Sequence, residues 1–407
     1  MIKRVVITGA GILTSLGRGL DATYDSLLHG KSKLSQIKTF TTNNFASGDG
    51  GVVQDSLIDM DLDEEGKLGL DRATHLVYTA CKDALFSASA NLDELRFSKT
   101  PVYLGTTLGG TLQGQMFHRD YVLKQNEKKR ALFLKDYLAC NQAVNIAKKF
   151  DFAGEALILN NACASGTNAL GLAFRRIRNG YENFAIAGGY DVMSEFTYAG
   201  FNSLQLITPG KCRPFDKNRS GLILGEGAGV LVVEELDHAR ERGAHILAEI
   251  IGFGQTSDAY HLTSPDPEAK GASEAIKTAT ETTGIKTEDI DYINAHGTGT
   301  LANDSMESTA IVSALGEGGR RIPVSSTKPM TGHMLGAAGA AEAIFSLIAI
   351  NRSIVPGNLN YETPDPDCNL NIVGEKAEQK EIKTVLSNSF GFGGSNSSVI
   401  LRKLDEK

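Results

Sequence analysis

Apolar positions along the chain fall into two alternating textures. Short runs rich in Val, Ile and Leu, bounded by Gly, Asn or Pro, are separated by longer Ala-rich stretches in which apolar residues return at helical spacing. Short continuous apolar runs suit strands buried on both faces, and the periodic stretches suit helices that cover them, so the pattern predicts an α/β protein. Strands are expected over 4–8, 102–105, 156–160, 184–187, 230–234, 248–253, 292–295, 323–325, 385–389 and 399–402. Helices are expected over 73–89, 140–150, 166–178, 236–242, 271–283, 304–315 and 339–351.

A weak internal repeat runs through this order. Residues 156–180 read as a strand, a sharp turn carrying Cys163, and a small-residue helix ending Arg-Asn-Gly. Residues 322–353 read as a strand, a longer turn carrying Lys328 and His333, and a small-residue helix ending Asn-Arg-Ser. Each block is followed by a Gly-rich strand, Phe184-Ala-Ile-Ala-Gly-Gly189 in one case and Val385 to Gly394 in the other. The expectation is a duplicated fold, residues 1–245 and 246–407, with a reactive loop from each half meeting between them. At 407 residues the chain is long enough for two or three domain equivalents.

Composition narrows the function classes. A formal charge of −7 and no long basic stripe argue against a nucleic-acid partner. The most basic short stretch, Lys128-Lys129-Arg130, reads as a solvated face or as a small docking patch for an acidic partner. Five cysteines, at 81, 140, 163, 212 and 368, are widely spaced without a CxxC, so neither disulfides nor a metal centre are expected, and a reducing cytoplasm fits. The N-terminus enters a strand at once, without the apolar stretch of a signal peptide. The most apolar segments, 221–233 and 334–350, carry Glu226 and Glu342 and read as core rather than membrane spans.

Gly9-Ala-Gly11 looks like the start of a dinucleotide fingerprint, but position 14 is Thr, and the pair reads as a turn. Asn160-Asn-Ala-Cys163-Ala-Ser-Gly166 is more informative. There a strand ends on small residues and a helix begins near a cysteine, where free N–H groups favour thiolate and can hold an oxyanion. A buried structural role is the alternative, and it is the one expected for Cys81 and Cys140, which lie inside helical patterns. His296-Gly-Thr-Gly-Thr300 follows the apolar run 292–295 directly. Ser325-Ser-Thr-Lys328-Pro-Met-Thr-Gly-His333 places a lysine and a histidine in one turn before Gly336-Ala-Ala-Gly339.

These segments resemble the elongating β-ketoacyl-acyl-carrier-protein synthases, the Cys–His–His condensing enzymes of the thiolase-like superfamily. Also similar are Val-Val-Ile-Thr-Gly-Ala-Gly11, Arg213-Pro-Phe-Asp216, Gly225-Glu-Gly-Ala-Gly229, Ser257-Asp-Ala-Tyr260 and Asn388-Ser-Phe-Gly-Phe-Gly-Gly394, all in the family's order along essentially the whole chain. The resemblance implies a duplicated α/β/α/β/α layered fold and a decarboxylative condensation. Cys163 would be the nucleophile, and the N–H groups of Cys163 and Phe392 the oxyanion hole. His296 and His333 would hold the malonyl thioester oxygen, with Lys328 fixing His333. Thr298 and Thr300 would contact the pantetheine arm, Phe392 would gate the acyl pocket, and Glu342 and Asp304 would support the site. Acyl and malonyl groups would arrive on an acyl carrier protein as phosphopantetheine thioesters, with no further cofactor. The family resemblance also implies a dimer, with itself or with a related ketosynthase-like subunit.

Three departures bear on carrier and chain length. The segment from Leu206 to Asp216 is short, residues 63–72 (Asp-Glu-Glu-Gly-Lys-Leu-Gly-Leu-Asp-Arg) are not basic, and Leu301-Ala-Asn-Asp-Ser-Met306 replaces the usual Pro-x-Gly-Asp form. They make a type II polyketide or polyene ketosynthase a competitor to fatty-acid elongation. A thiolase would need a second reactive cysteine, and Cys368 lies in a Pro- and Asp-rich loop. An initiating ketosynthase would be expected to carry Asn in place of His333. A catalytically silent chain-length factor would lack Cys163.

Overall fold

The computed structural model describes residues 2–61, 70–96, 98–125 and 131–405. The basic stretch Lys128–Arg130 and most of the acidic stretch, residues 63–69, lie outside them.

Ten of the twelve strands in the main sheet build its body, the other two being the two-residue strands Gly17–Arg18 and Asn371–Ile372: β1 (Val5–Thr14), β2 (Val102–Gly105), β3 (Ala156–Leu159), β4 (Phe184–Asp191), β5 (Gly227–Glu235), β6 (Ala248–Ser257), β7 (Tyr292–Asn294), β8 (Pro323–Ser325), β9 (Thr384–Gly391) and β10 (Ser395–Arg402). Their order across the sheet is β8-β7-β9-β10-β6-β1-β5-β4-β2-β3. Within the first five strands the order is 3-2-4-5-1, and within the second five it is the same, running the opposite way from the central β1–β6 pair. In each set the third, second and fourth strands are mutually parallel, and the fifth is antiparallel to both the fourth and the first. The chain therefore repeats one topology twice.

The helices used below are α1 (Leu20–Leu28), α2 (Arg72–Ser87), α3 (Thr111–Val122), α4 (Cys140–Lys149), α5 (Ser165–Arg178), α6 (Glu195–Ser203), α7 (Leu236–Glu241), α8 (Lys270–Glu281), α9 (Leu301–Leu315) and α10 (Ala338–Arg352). Helices α5 and α10 pack on each other and on strands from both halves, making the middle layer. Outside them, α2 and α4 cover the first set of strands, and α8, backed by α9, covers the second. Residues Leu335–Arg352 have the length and apolarity to cross a membrane, but 89% of that stretch is buried in the middle layer.

Gly9-Ala-Gly11 is not a turn. It lies inside β1, which runs on to Thr14. A Cβ on Gly9 would sit 2.2 Å from the Ala84 carbonyl oxygen, and one on Gly11 would sit 2.0 Å from that of Ala80, because the backbone of α2 rides directly on the strand. Gly252 and Gly254 on β6 do the same under α8, where a Cβ would meet Ala279 O at 2.1 Å and Ala275 O at 1.9 Å. The two strands hold the same position in the two sets, so these glycine pairs are one packing device used twice. For a similar reason β4 extends past Ala187 through Gly188-Gly189 to Asp191, with Gly189 packed on the carbonyl of Gly336. Helices α1, α3 and α6 were not legible. In α3 only Gln113 is buried, so no apolar stripe marks it.

Candidate active site

After β3 the chain turns through Asn160–Ala164, and α5 begins at Ser165. Ala162 sits at φ 51°, a left-handed conformation costly for a residue with a Cβ, and it lifts Cys163 to the crest of the turn. Ser165 holds the turn closed: its Oγ accepts from Asn161 N at 2.8 Å and donates to Ala162 O at 2.6 Å. Gly391, at the end of β9, lies close enough that a Cβ there would be 3.0 Å from Cys163 N. The Gly391–Gly394 turn is thereby set against the nucleophile turn.

His296 follows β7 by two residues. Its backbone N–H and that of Gly297 both donate to Glu307 on α9, each at 2.8 Å. Asp304, on the same helix, accepts from Gly299 N at 3.2 Å and Phe215 N at 2.8 Å. Thr300 caps α9. The loop carrying His296 is therefore pinned from below by two buried carboxylates.

His333 follows a one-turn helix, Lys328–Thr331, and Gly332 at φ 76°. Its backbone is stitched to a segment of the first half: His333 N donates to Ile223 O at 2.7 Å, and Gly225 N donates to His333 O at 2.9 Å. Its Nε2 lies 3.1 Å from Cys163 Sγ, and its Nδ1 accepts from Leu335 N at 3.3 Å. The rings of His296 and His333 are 5.2 Å apart, edge to face.

Lys328 is fully buried, and its ammonium does not bind His333. It donates to the His296 carbonyl at 2.5 Å, lies 3.4 Å from His296 Nδ1, and pairs with Glu342 at 2.5 Å. This corrects the expectation that Lys328 fixes His333. A one-turn helix separates the two residues and sends the lysine side chain across to the neighbouring loop, while a backbone N–H orients His333.

The partners assign the tautomers. An ammonium faces Nδ1 of His296 and a backbone N–H faces Nδ1 of His333, so neutral rings carry their proton on Nε2 in both. Both rings are neutral, since burial and then Lys328 push each pKa well below the ordinary histidine value. Cys163, His296 and His333 bring ligand-capable atoms within 4.8 Å of one another. Two of those atoms are N–H donors beside a buried ammonium, a set that suits an oxygen acceptor rather than a cation.

The helix start does not make Cys163 a resting thiolate. The thiol is 5% exposed, and burial pushes it up to about 12, outweighing Lys328 and the local backbone N–H. The sulfur is a neutral thiol at rest, since α5 begins two residues later and the side chain is buried. Inactivation by iodoacetamide is accordingly expected to quicken about tenfold per pH unit from pH 7 to 9, because the thiolate is the nucleophile and its fraction is still climbing there. A rate that levels off below pH 8 would contradict this reading.

A cavity of about 350 Å³ opens onto Cys163, His296 and His333. Thr298 and Thr300 line it, their hydroxyls 2.9 Å apart, and Phe392 lines it while stacking on Phe201 with ring centres 5.5 Å apart. On its other side Cys163 belongs to an apolar cluster with Met193, Tyr198, Leu222 and Leu335. Glu342 and Asp304 sit beneath the site. Cys368 is buried in a separate cluster with Met306 and Ile311, outside the cavity lining.

Three residues escaped sequence reasoning. Glu307 carries the His296 loop, and burial raises its carboxyl to about 7 against the backbone donors that lower it. Asp191 accepts from Thr106 Oγ1, Thr107 N, Leu108 N and, across the two halves, Gly336 N, and burial raises it to about 6. Phe201 backs Phe392. A carboxylate ending a wholly apolar strand was a signal for Asp191, since such a group must find donors.

Residues 2–239 match the family described as beta-ketoacyl synthase, N-terminal domain, and residues 247–362 match beta-ketoacyl synthase, C-terminal domain. A 3-oxoacyl-[acyl-carrier-protein] synthase 2 of Synechocystis sp. is 38% identical over 98% of both chains. Among solved structures, the ishigamide ketosynthase/chain length factor superposes with TM-score 0.93 at 32% identity over the full length of both chains. The ketosynthase solved bound to the hexaketide, in complex with its type II PKS acyl-carrier protein, gives TM-score 0.89 at 29% identity, over 99% of this chain and 100% of that one. With its thiolase-like layered fold and both halves matched, the chain belongs to the β-ketoacyl synthase family.

Proposed function

We propose that this acyltransferase elongates an acyl chain by decarboxylative condensation, with Cys163, His296 and His333 as its catalytic residues. The observation that carries the assignment of roles is the convergence of two Nε2–H donors and one cysteine sulfur on a single cavity. Cys163 Sγ attacks the acyl thioester, the carbonyl oxygen is held by the N–H groups of Cys163 and Phe392, and the departing carrier sulfur leaves with the thiol proton. The acyl chain enters the apolar cluster beyond Cys163, past the Phe392–Phe201 stack.

A malonyl thioester then occupies the vacated cavity, its arm beside Thr298 and Thr300. His296 and His333 donate to its thioester oxygen. The bond from C2 to the carboxylate breaks, carbon dioxide departs, and its electron pair becomes an enolate held by the two N–H groups. C2 attacks the acyl carbonyl, the bond to Cys163 breaks with its electron pair left on sulfur, which takes up a proton from water to restore the thiol, and a β-ketoacyl thioester two carbons longer leaves. Lys328 fixes the tautomer of His296 and is neutralised by Glu342, while Asp304 supports the loop of Thr298 and Thr300. The step requires no redox cofactor and no metal, because the thioester activates both carbons and carbon dioxide release drives the bond formation.

Acyl carrier protein is the proposed donor and acceptor, supported by the name of the Synechocystis relative and by the carrier complex of the type II ketosynthase. Fatty-acid and polyketide elongation both fit this chemistry. We further propose that residues 1–245 and 246–407 act as the two halves of a cytoplasmic enzyme that pairs with a second copy or a related subunit. Cys163, lining the cavity beside both histidines, speaks against a silent chain-length factor, and the position of Cys368 against a thiolase.

The test is mass spectrometry of the intact protein with a panel of acyl-carrier thioesters, then malonyl-carrier, beside Cys163→Ala. Acyl mass on Cys163 that discharges as β-ketoacyl-carrier is the expected result. No acylation by any thioester, alone or with candidate partner subunits, would overturn the reading.

A further inference from the structure

Asp191 ends β4 in the first half of the chain, wholly buried, and its two oxygens take four donors. Oδ1 accepts from Thr106 Oγ1 at 2.6 Å and Leu108 N at 2.9 Å. Oδ2 accepts from Thr107 N at 2.9 Å and, from the second half, Gly336 N at 2.7 Å. Four acceptor sites are the whole capacity of a carboxylate, and none of these donors is a cation. A buried charge without a counter-ion is costly, and burial raises this carboxyl to about 6. Nor does the charge help Cys163, whose thiol it raises further. What such a group does for the site lies in the donors it holds.

Gly336 N–H is the decisive donor. It follows Leu335, which sits at φ 51°, a left-handed conformation that a leucine keeps only where its surroundings impose it. Leu335 N donates in turn to His333 Nδ1 at 3.3 Å, the bond that leaves the proton of that ring on Nε2. The far side of Gly336 is closed, since a Cβ there would sit 2.6 Å from both Thr106 Cα and Thr107 N. One carboxylate therefore draws the Thr106–Leu108 loop and the Leu335–Gly336 turn into contact. Thr106 O also accepts from Ser165 Oγ, the group that closes the Cys163 turn, at 3.3 Å.

We propose that Asp191 is a positioning residue for condensation: by holding Gly336 N–H it keeps Leu335 in its strained conformation and so fixes the tautomer and aim of His333. The inference rests on the role given to His333 above. Acceptor geometry, not charge, does this. An asparagine can turn its amide oxygen to Thr107 and Gly336 and its NH2 to Thr106 Oγ1, which rotates to accept, so that only Leu108 N–H loses its partner. Alanine frees all four donors. Glutamate keeps both oxygens but moves them by one methylene.

The test labels the histidines with 15N and reads the His333 ring directly, its signals assigned by their loss in His333→Ala. A single Nε2–H tautomer is expected in the unaltered enzyme and in Asp191→Asn. A mixture of both tautomers is expected in Asp191→Ala, and in Asp191→Glu should the alanine variant not fold. His296, held by Glu307 and Lys328, should keep its signals throughout. Single-turnover condensation should fall about 10–10²-fold with Ala or Glu and stay within about threefold with Asn, while loading of Cys163 stays within about threefold in all of them. An unchanged His333 tautomer in the Ala and Glu variants, an Asn variant as poor as Ala, or loss of loading in step with condensation would each overturn the proposal. The ring signals do not depend on turnover, so an unaltered enzyme that fails to condense would overturn the condensing role while the hold of Asp191 on His333 is still read.

Discussion

Truncating His333 to Ala is expected to slow condensation about 10²–10³-fold, the usual cost of losing one donor from an oxyanion site, while acyl transfer onto Cys163 continues. The split follows from the tautomer. Leu335 N–H occupies Nδ1 of His333, so Nε2 carries a proton and points it at the sulfur from 3.1 Å. A nitrogen that already holds a proton cannot take one from the thiol, and a ring whose pKa lies well below the ordinary value does not become a stronger donor by charging near pH 7. Its use is to grip an oxygen that gains charge when carbon dioxide leaves. His296→Ala should behave in the same way, because the second donor faces the same space. The measurement is single-turnover mass spectrometry: acyl-enzyme accumulates from acyl-carrier, then fails to discharge when malonyl-carrier is added. Loss of loading in step with condensation would make His333 a base for Cys163 instead.

The reactive groups were legible because their signals are local. Cys163, His296 and His333 each stand where an apolar run gives way to small residues before a helix, and that junction is readable from a dozen neighbours. What supports them is not local. Glu307 reaches His296 and Gly297 from the second turn of α9, and Asp191 reaches Gly336 across 145 residues. Neither partnership leaves a mark on periodicity. Lys328 shows how adjacency misleads: it stands five residues from His333, yet the fold sends its ammonium to His296, 32 residues away. Gly9 and Gly11 mislead in the opposite sense. Glycine in a strand can signal a turn or a close approach, and only the position of Ala80 and Ala84 on α2 decides between them. The repeat was visible in outline, as strand–turn–helix blocks around Cys163 and His333. Its full form, two sets of strands in the order 3-2-4-5-1, depends on which strands pair, and sequence texture does not carry pairing.

Replacing Lys328 by Met should damage both the reaction and the fold, in ways that pH separates. Met fills much of the lysine's volume but leaves Glu342 without its ion pair, and both residues are 1% exposed. Breaking a buried pair by removing one partner costs about 3–5 kcal/mol, because the remaining charge must stay desolvated or take up a proton. Burial already raises the Glu342 carboxyl despite Lys328, and without the ammonium it rises further. A carboxyl whose folded pKa lies above its unfolded value contributes stability that is complete below the unfolded pKa and is lost as pH rises through the folded one. The deficit of the variant should therefore be largest at pH 8 and shrink toward pH 5, which urea unfolding at the two values measures. The chemistry should not recover with the fold. Nδ1 of His296 loses the ammonium that keeps it unprotonated, the ring is free to move its proton there, and Nε2 then turns a lone pair toward the enolate oxygen. A wrong tautomer at a catalytic histidine costs up to about 10⁴-fold, so condensation at the lower pH, where the variant's stability deficit is smallest, should stay at least about 10³-fold below the unaltered enzyme. Restored stability with restored activity at that pH would reduce Lys328 to a packing residue. Restored stability without activity would place it in command of the proton on His296.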